Sequence, residues 1–235
     1  LGLNAGLGNL GVSVVQFIVP VVITTSVFGW LGGDAQIARE ASGTTKLWLQ
    51  NAGFIWAPFI AASAFAAWFG MNDIASAKAS FAEQSVIFQR RHNWIMCWLY
   101  TGTFGSFIGY SAGFPLLAKT QFPEINALQY AFLGPVVGAL SRSLTGWVAD
   151  RWGGGRVTFW VFVVMALGAL GVVHFLGEKN FAGFFAMFLL LFFASGVGNA
   201  STFQMIPAIM RKEVARLEPQ MSAEQQFKQA EKESA

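Results

Sequence analysis

The feature that most limits what this chain can become is the spacing of its charges. No Asp, Glu, Lys or Arg occurs from Leu1 to Gly33, between Lys46 and Asp73, or between Arg91 and Lys119. The intervals Glu124 to Asp150, Arg156 to Glu178 and Lys179 to Arg211 are equally bare, apart from Arg142 in the first of them. Each holds the roughly 20 residues that carry a helix across the hydrocarbon core of a bilayer. Buried helices of a large soluble protein are the competing reading, and composition argues against it. Of 235 residues, 11% are charged and 54% hydrophobic, whereas a soluble domain carries about 25% charged residues. The sequence therefore predicts an all-α membrane protein with about six transmembrane helices.

The polar intervals set the expected organisation. With six spans, one side of the membrane receives Lys78, Arg90, Arg91, Arg151, Arg156, Arg211, Lys212, Arg216, Lys228 and Lys232. The other receives only Arg39, Lys46, Lys119 and Lys179. Basic residues concentrate in cytoplasmic loops, so the first side is assigned to the cytoplasm and both ends of the chain face it. Met71 to Asn93 has mixed charge and scattered apolar residues, and reads as a cytoplasmic linker between two helical bundles. That gives residues 1–70 to one bundle, 71–93 to the linker, 94–210 to a second bundle and 211–235 to a polar cytoplasmic tail or loop. Leu31 to Asn51, rich in small residues, is expected to be an external loop. The chain begins without Met and runs directly into an apolar span, which suggests a start inside a longer protein.

Arg142 is the residue that most needs an explanation. A guanidinium in the middle of a transmembrane helix costs about 2.5–3.5 kcal/mol on insertion scales, so something must offset it. An acid on a neighbouring helix is one solution, yet Asp73, Glu124 and Asp150 all fall at span ends. A bound anion is the other. Gly134, Gly138, Arg142 and Gly146 recur every four residues and share a helical face. They form either a close-packing stripe or room for a small ligand beside the guanidinium. Tyr100 and Phe104 share a face on the preceding span, where a phenol could donate to an anion or simply pack.

Two glycine-rich segments contain polar side chains that do not titrate. Residues 6–11, Gly-Leu-Gly-Asn-Leu-Gly, open the first span, and Gly196 to Gln204 lie in the last. The strand–turn–helix context required for a nucleotide loop is missing. At membrane depth Asn9, Asn199, Ser201, Thr202 and Gln204 must face protein or a water-filled cavity, either as interhelical links or as ligands. One Cys, Cys97, and two separated His residues, His92 and His174, supply neither a disulfide, a metal cluster nor a nucleophile–base pair. No catalytic residue, metal or cofactor is expected, and the chain is read as not an enzyme. A net charge of +3 without a basic, aromatic-interleaved run gives no sign of nucleic acid.

The turn Gly146-Trp-Val-Ala-Asp150-Arg151-Trp-Gly-Gly-Gly-Arg156 resembles the Gly-x-x-x-Asp-Arg-x-Gly-x-x-Arg signature of the major facilitator superfamily of transporters. Within that superfamily, residues 6–12, 68–73, 103–109 and 201–206 are similar to segments of the nitrate/nitrite porter family and its NarK-type bacterial antiporters. The resemblance covers essentially the whole chain. It implies helices five to ten of a twelve-helix bundle, in a monomeric protein of the bacterial inner membrane.

It also implies roles. Asp150, Arg151 and Arg156 would form a conformational latch, and Gly6, Gly8 and Gly11 would be signature glycines. Arg142, Tyr100 and Asn9 would hold nitrate or nitrite between the rings of Phe104 and Phe203. A second arginine would lie before Leu1 and a second glycine signature after Ala235, so the chain is not expected to transport alone. Guanidinium donates two parallel hydrogen bonds to a planar oxyanion and stays protonated. No acid lies inside a span to carry a proton, which favours nitrate/nitrite exchange. Transport of another small anion and proton-coupled nitrate symport remain the alternatives.

Overall fold

The computed structural model describes residues 2–40, 43–72 and 85–234. It comprises two compact units, residues 1–13 with 76–235, and residues 14–75. Helix α1 (Gly2–Val22) opens the chain.

In the unit of residues 14–75, α1 ends in a loop tied down by Asn51. The amide of this fully buried residue donates to the carbonyls of Val22 at 3.0 Å and Thr25 at 2.7 Å. These bonds satisfy carbonyls that the end of a helix leaves without partners. The expected external loop is not wholly irregular. Strands β1 (Gln36–Glu40) and β2 (Gly43–Leu47) pair antiparallel, with Gln36 opposite Leu47 and Glu40 opposite Gly43. A single turn, α2 (Asn51–Phe54), leads into α3 (Ala57–Gly70), which has Pro58 in its first turn. No residue of α3 is buried, and Phe59, Ile60, Phe65, Trp68 and Phe69 are all exposed. A helix apolar on every side is suited to lipid or to other helices, not to water.

The larger unit is helical. Helix α4 (Arg91–Tyr100) passes through a π-helical turn (Thr101–Gly105) into α5 (Ser106–Gln121). A 3-10 turn (Ala127–Tyr130) precedes α6 (Leu133–Leu144), and α7 (Gly146–Trp152) follows after a break at Thr145. Gly153, at φ +87°, turns the chain from α7 into α8 (Gly154–Gly177). That region of φ is readily open only to glycine. Glu178 and Lys179 occupy the next turn, and Asn180 caps α9 (Phe181–Leu217) by accepting from the Gly183 amide at 3.0 Å. Helix α9 is the hub, packing most extensively on α8 and then on α6.

Phenylalanines fill the core of this unit. Phe114, Phe184 and Phe188 form a triangle with ring centroids 5.7, 5.2 and 4.9 Å apart. Phe107 meets Phe192 edge-on at 5.7 Å. Such geometries match the negative face of one ring to the positive edge of another. In contrast, Phe159, Leu167, Leu170 and Val173 of α8 are exposed.

Among the described residues, three helical stretches are long and apolar enough to cross a membrane: Asn51–Gly70, Gly154–Gly177 and Phe181–Leu217. The other three expected spans are built differently. One is α1, one is the α4–π–α5 rod, and one is divided into α6 and α7 at Thr145. Residues 73–84 of the expected linker lie outside the described residues, and α4 begins at Arg91, slightly before the anticipated boundary.

The expected polar tail is helical. Helix α9 continues to Leu217, and α10 (Ala223–Ser234) packs back on it through Ala230 against Met210 and Val214. The Arg211 guanidinium lies 5.5 Å from the Phe227 ring centre. Few apolar anchors were legible in this segment because one small residue, Ala230, and one ring suffice.

Candidate functional site

Arg142 sits in the last turn of α6 and is 4% exposed. No carboxylate lies within ion-pair distance of it among the described residues. An aromatic ring lies beside it: the guanidinium carbon is 5.7 Å from the Phe203 ring centre. A ring face attracts a cation by about 0.5–2 kcal/mol, well short of what a full counter-ion supplies. Phe203 is 6.5 Å from Tyr100, and Tyr100 stacks on Phe104 at 5.3 Å with planes 11° apart. Four of the five residues expected around an anion thus form one run from α6 across α9 to α4 and the π turn.

Its internal order differs from a simple sandwich. Phe104 faces Tyr100 on one side and Phe107 at 6.2 Å on the other, so Tyr100 stands between Phe104 and Phe203. Asn9 arrives from α1. It is half-buried, and its side-chain nitrogen has no hydrogen-bond partner. One turn before it, Gly6 abuts Ser143, which immediately follows Arg142 on α6; a Cβ there would overlap the Ser143 hydroxyl. Gly8 and Gly11 have nothing near enough for a Cβ to touch. Among the described residues, Gly6 alone of these three glycines is therefore required for packing.

The glycine face of α6 does not leave the ligand room that the sequence allowed. Gly134 receives the Phe192 ring, and a Cβ on Gly138 would lie 2.6 Å from the Phe107 ring. Gly146 belongs to α7, where the same test brings it within 2.7 Å of the Gln204 amide nitrogen. Those glycines exist so that α5 and α9 can come close. The tightest approach is Gly196 of α9, where a Cβ would strike the Ser141 hydroxyl and the Gly138 carbonyl. Ser141 seals the crossing by donating to the Phe193 carbonyl at 3.1 Å.

The structure sorts the polar residues of α9. The Ser201 hydroxyl pairs with that of Thr158 at 2.9 Å, and Thr202 donates to the Gly198 carbonyl at 2.8 Å. Both are structural links. Asn199 is different: it is fully buried, yet among the described residues neither its amide nitrogen nor its oxygen has a partner. Phe192, Gly196, Asn199 and Phe203 follow one another at helical spacing on the α9 face that meets α6. The unpartnered amide therefore lies on the same face as the ring under Arg142. A buried amide without a partner costs about 1–3 kcal/mol. The Gln204 oxygen also lacks a partner, but Asn199 is the one of the set with both amide atoms unsatisfied, and the sequence offered no sign of that.

Asp150, Arg151 and Arg156 are all exposed, and no ion pair joins them among the described residues. Polar contacts instead connect the start of α4 with the end of α9. The His92 ring lies 3.2 Å from the Glu213 carboxylate, and Arg90 forms an ion pair with Glu218 at 3.8 Å. Among the described residues no group of three or more His, Cys, Asp or Glu could hold a metal.

Known proteins share this sequence. The chain is 49% identical over 217 residues to the nitrate/nitrite transporter NarU of Escherichia coli, covering 90% of this chain and 46% of that protein. It is 50% identical, over the same shares, to the NarU protein of Salmonella typhimurium. It is 44% identical to the probable nitrate/nitrite antiporter NarK2 of Thermus thermophilus, covering 89% of this chain and 49% of that one. The chain spans about half the length of these curated relatives. No protein-family model matches it.

Proposed function

Because this chain belongs to the nitrate/nitrite transporter family and is a multi-pass membrane protein, we propose that it forms the anion-binding part of a nitrate/nitrite exchanger. The observation that carries this reading is Arg142: buried, without a carboxylate partner among the described residues, and bordered by Phe203, whose ring lies 6.5 Å from that of Tyr100. A planar oxyanion completes that environment. Two parallel N–H donors of the guanidinium match two oxygens of nitrate or nitrite, and the Tyr100 hydroxyl and Asn9 amide can donate to others. The rings of Phe203 and Phe104 exclude water from the site, so each charge-assisted bond is stronger than it would be in water. Asn199 joins this set as an amide that an anion or the guanidinium would satisfy.

The cycle follows from the same chemistry. An empty site leaves one guanidinium uncompensated at membrane depth, which raises the energy of reorientation. A bound anion removes that penalty, so loaded states reorient more readily and exchange is favoured over net uptake. The bundles would rock around the fixed site, with Asp150, Arg151 and Arg156 at the turn that changes partners. The protein would act as a monomer in the inner membrane, with both ends of this chain in the cytoplasm, as the excess of basic residues on that side indicates.

A chimera tests this. The matching half of the E. coli relative is replaced by this chain, and the product is reconstituted in proteoliposomes. Internal nitrite should accelerate nitrate uptake without a pH gradient. Arg142→Lys keeps the charge but loses the planar fork, and should weaken nitrate affinity by about 30-fold, the equivalent of a charge-assisted bond. Uptake that requires a proton gradient and ignores internal nitrite would favour symport. Stabilisation by lactate equal to that by nitrate would favour a different small anion.

A further inference from the structure

A second candidate site lies on the larger unit, away from the Arg142 run. A cleft of about 660 Å³ opens where α7, α8 and α9 meet. Its long walls are apolar. On α8, Val157, Trp160, Val161 and Val164 repeat at one-turn spacing, and Leu190, Ala194 and Val197 face them from α9. From Val157 to Val164 the groove runs about 10 Å along the helix axis. At the end near the α7–α8 turn it is bordered by Arg151, Arg156 and Trp152.

We propose that this groove binds an anionic phospholipid, with its phosphodiester between Arg151 and Arg156 and an acyl chain along the α8–α9 wall. This goes beyond the exchange reading and requires only that the chain lie in a membrane. Three observations point to a lipid. Both arginines are exposed and neither is in an ion pair among the described residues. Asp150, adjacent in sequence, is absent from the cleft lining. The positive end is flanked by Trp152 and Trp160, each more than 60% exposed, and such amphipathic rings favour the membrane–water interface. Guanidinium binds phosphate oxygens through paired hydrogen bonds, while the valine-rich wall provides nothing for a water-soluble anion. A zwitterionic lipid would bring its own cation against the two arginines.

Native mass spectrometry of the delipidated chain tests this, with equal amounts of phosphatidylglycerol and phosphatidylcholine. Phosphatidylglycerol should be retained preferentially, by about fivefold for each arginine. Arg151→Gln with Arg156→Gln should abolish the preference, while Arg211→Gln, which is outside the cleft, should leave it intact. Phosphatidylglycerol with brominated acyl chains should quench fluorescence in the unaltered protein, and Trp160→Phe should remove part of that quenching. This arm needs no arginine variant to fold. Equal retention of both lipids, unchanged retention in the double variant, no Trp160-dependent quenching, or displacement by millimolar inorganic phosphate would each overturn the proposal. Selective lipid retention in a protein that fails the nitrate assays would leave this site standing and sink only the exchange reading.

Discussion

Helices α3 and α9 are both long enough and apolar enough, α3 with the preceding turn, to cross a bilayer, yet their surroundings are opposite. No residue of α3 is buried, while α9 buries residues along most of its length, from Phe184 to Val214. Hydropathy does not separate them. Hydrogen-bonding side chains do: Ser195, Asn199, Ser201 and Thr202 are all buried in α9, whereas α3, though rich in alanine, has one serine, Ser63, bonded to its own backbone at Phe59. Lipid tails are as apolar as leucine, so helices associate in membranes through close packing and hydrogen bonds. A helix that carries glycines and buried hydroxyls can be drawn into a bundle. A helix whose one hydroxyl is spent on its own backbone has no comparable link to offer.

The contrast can be broken experimentally. Phe184→Ala in α9 removes a ring fully enclosed by Phe114, Phe122 and Phe188. It should cost about 3–5 kcal/mol through the cavity it leaves, read as reduced unfolding free energy in mild detergent. Phe65→Ala in α3 should change the same measurement by less than about 0.5 kcal/mol. A comparable loss at Phe65 would mean that α3 is held as tightly as α9.

Gly196→Val comes next. Its side chain would displace Ser141 and the Gly138 carbonyl, and overpacking of this kind costs about 1–3 kcal/mol. Ala64→Val on the exposed α3 should be close to neutral. A tolerated Gly196→Val would show that the α6–α9 crossing can open.

The smallest and most diagnostic effect is at Asn199. Asn199→Leu removes an amide that has no partner in this structure, so stability should hold or rise by up to about 1 kcal/mol. Nitrate binding in the chimera should weaken in the same variant. A loss of stability with unchanged nitrate affinity would make Asn199 a structural residue.

Much of the site was legible because a buried charge is costly wherever it occurs. Arg142 stood out through that cost, and Tyr100 and Phe104 shared a face through helical periodicity. The glycines around Arg142 were harder to interpret. A small residue reads the same whether a ligand or a phenylalanine fills the space beside it, and here Phe192 and Phe107 fill it. Asn199, Ser201, Thr202 and Gln204 were likewise equivalent as letters. Only the positions of Thr158 and the local carbonyls separated the satisfied hydroxyls from the amides of Asn199 and Gln204, which keep unpartnered atoms.

The sequence by itself determined the solvent, the helical character and the cost of Arg142, because desolvating a charge and leaving backbone groups unpaired in lipid are penalties set by local composition. Tertiary structure decided which apolar faces meet, that Tyr100 lies between the two rings, and that Arg151 and Arg156 border an apolar groove instead of pairing with Asp150. Those outcomes depend on distances of a few ångströms between residues far apart in the chain. No periodicity encodes them.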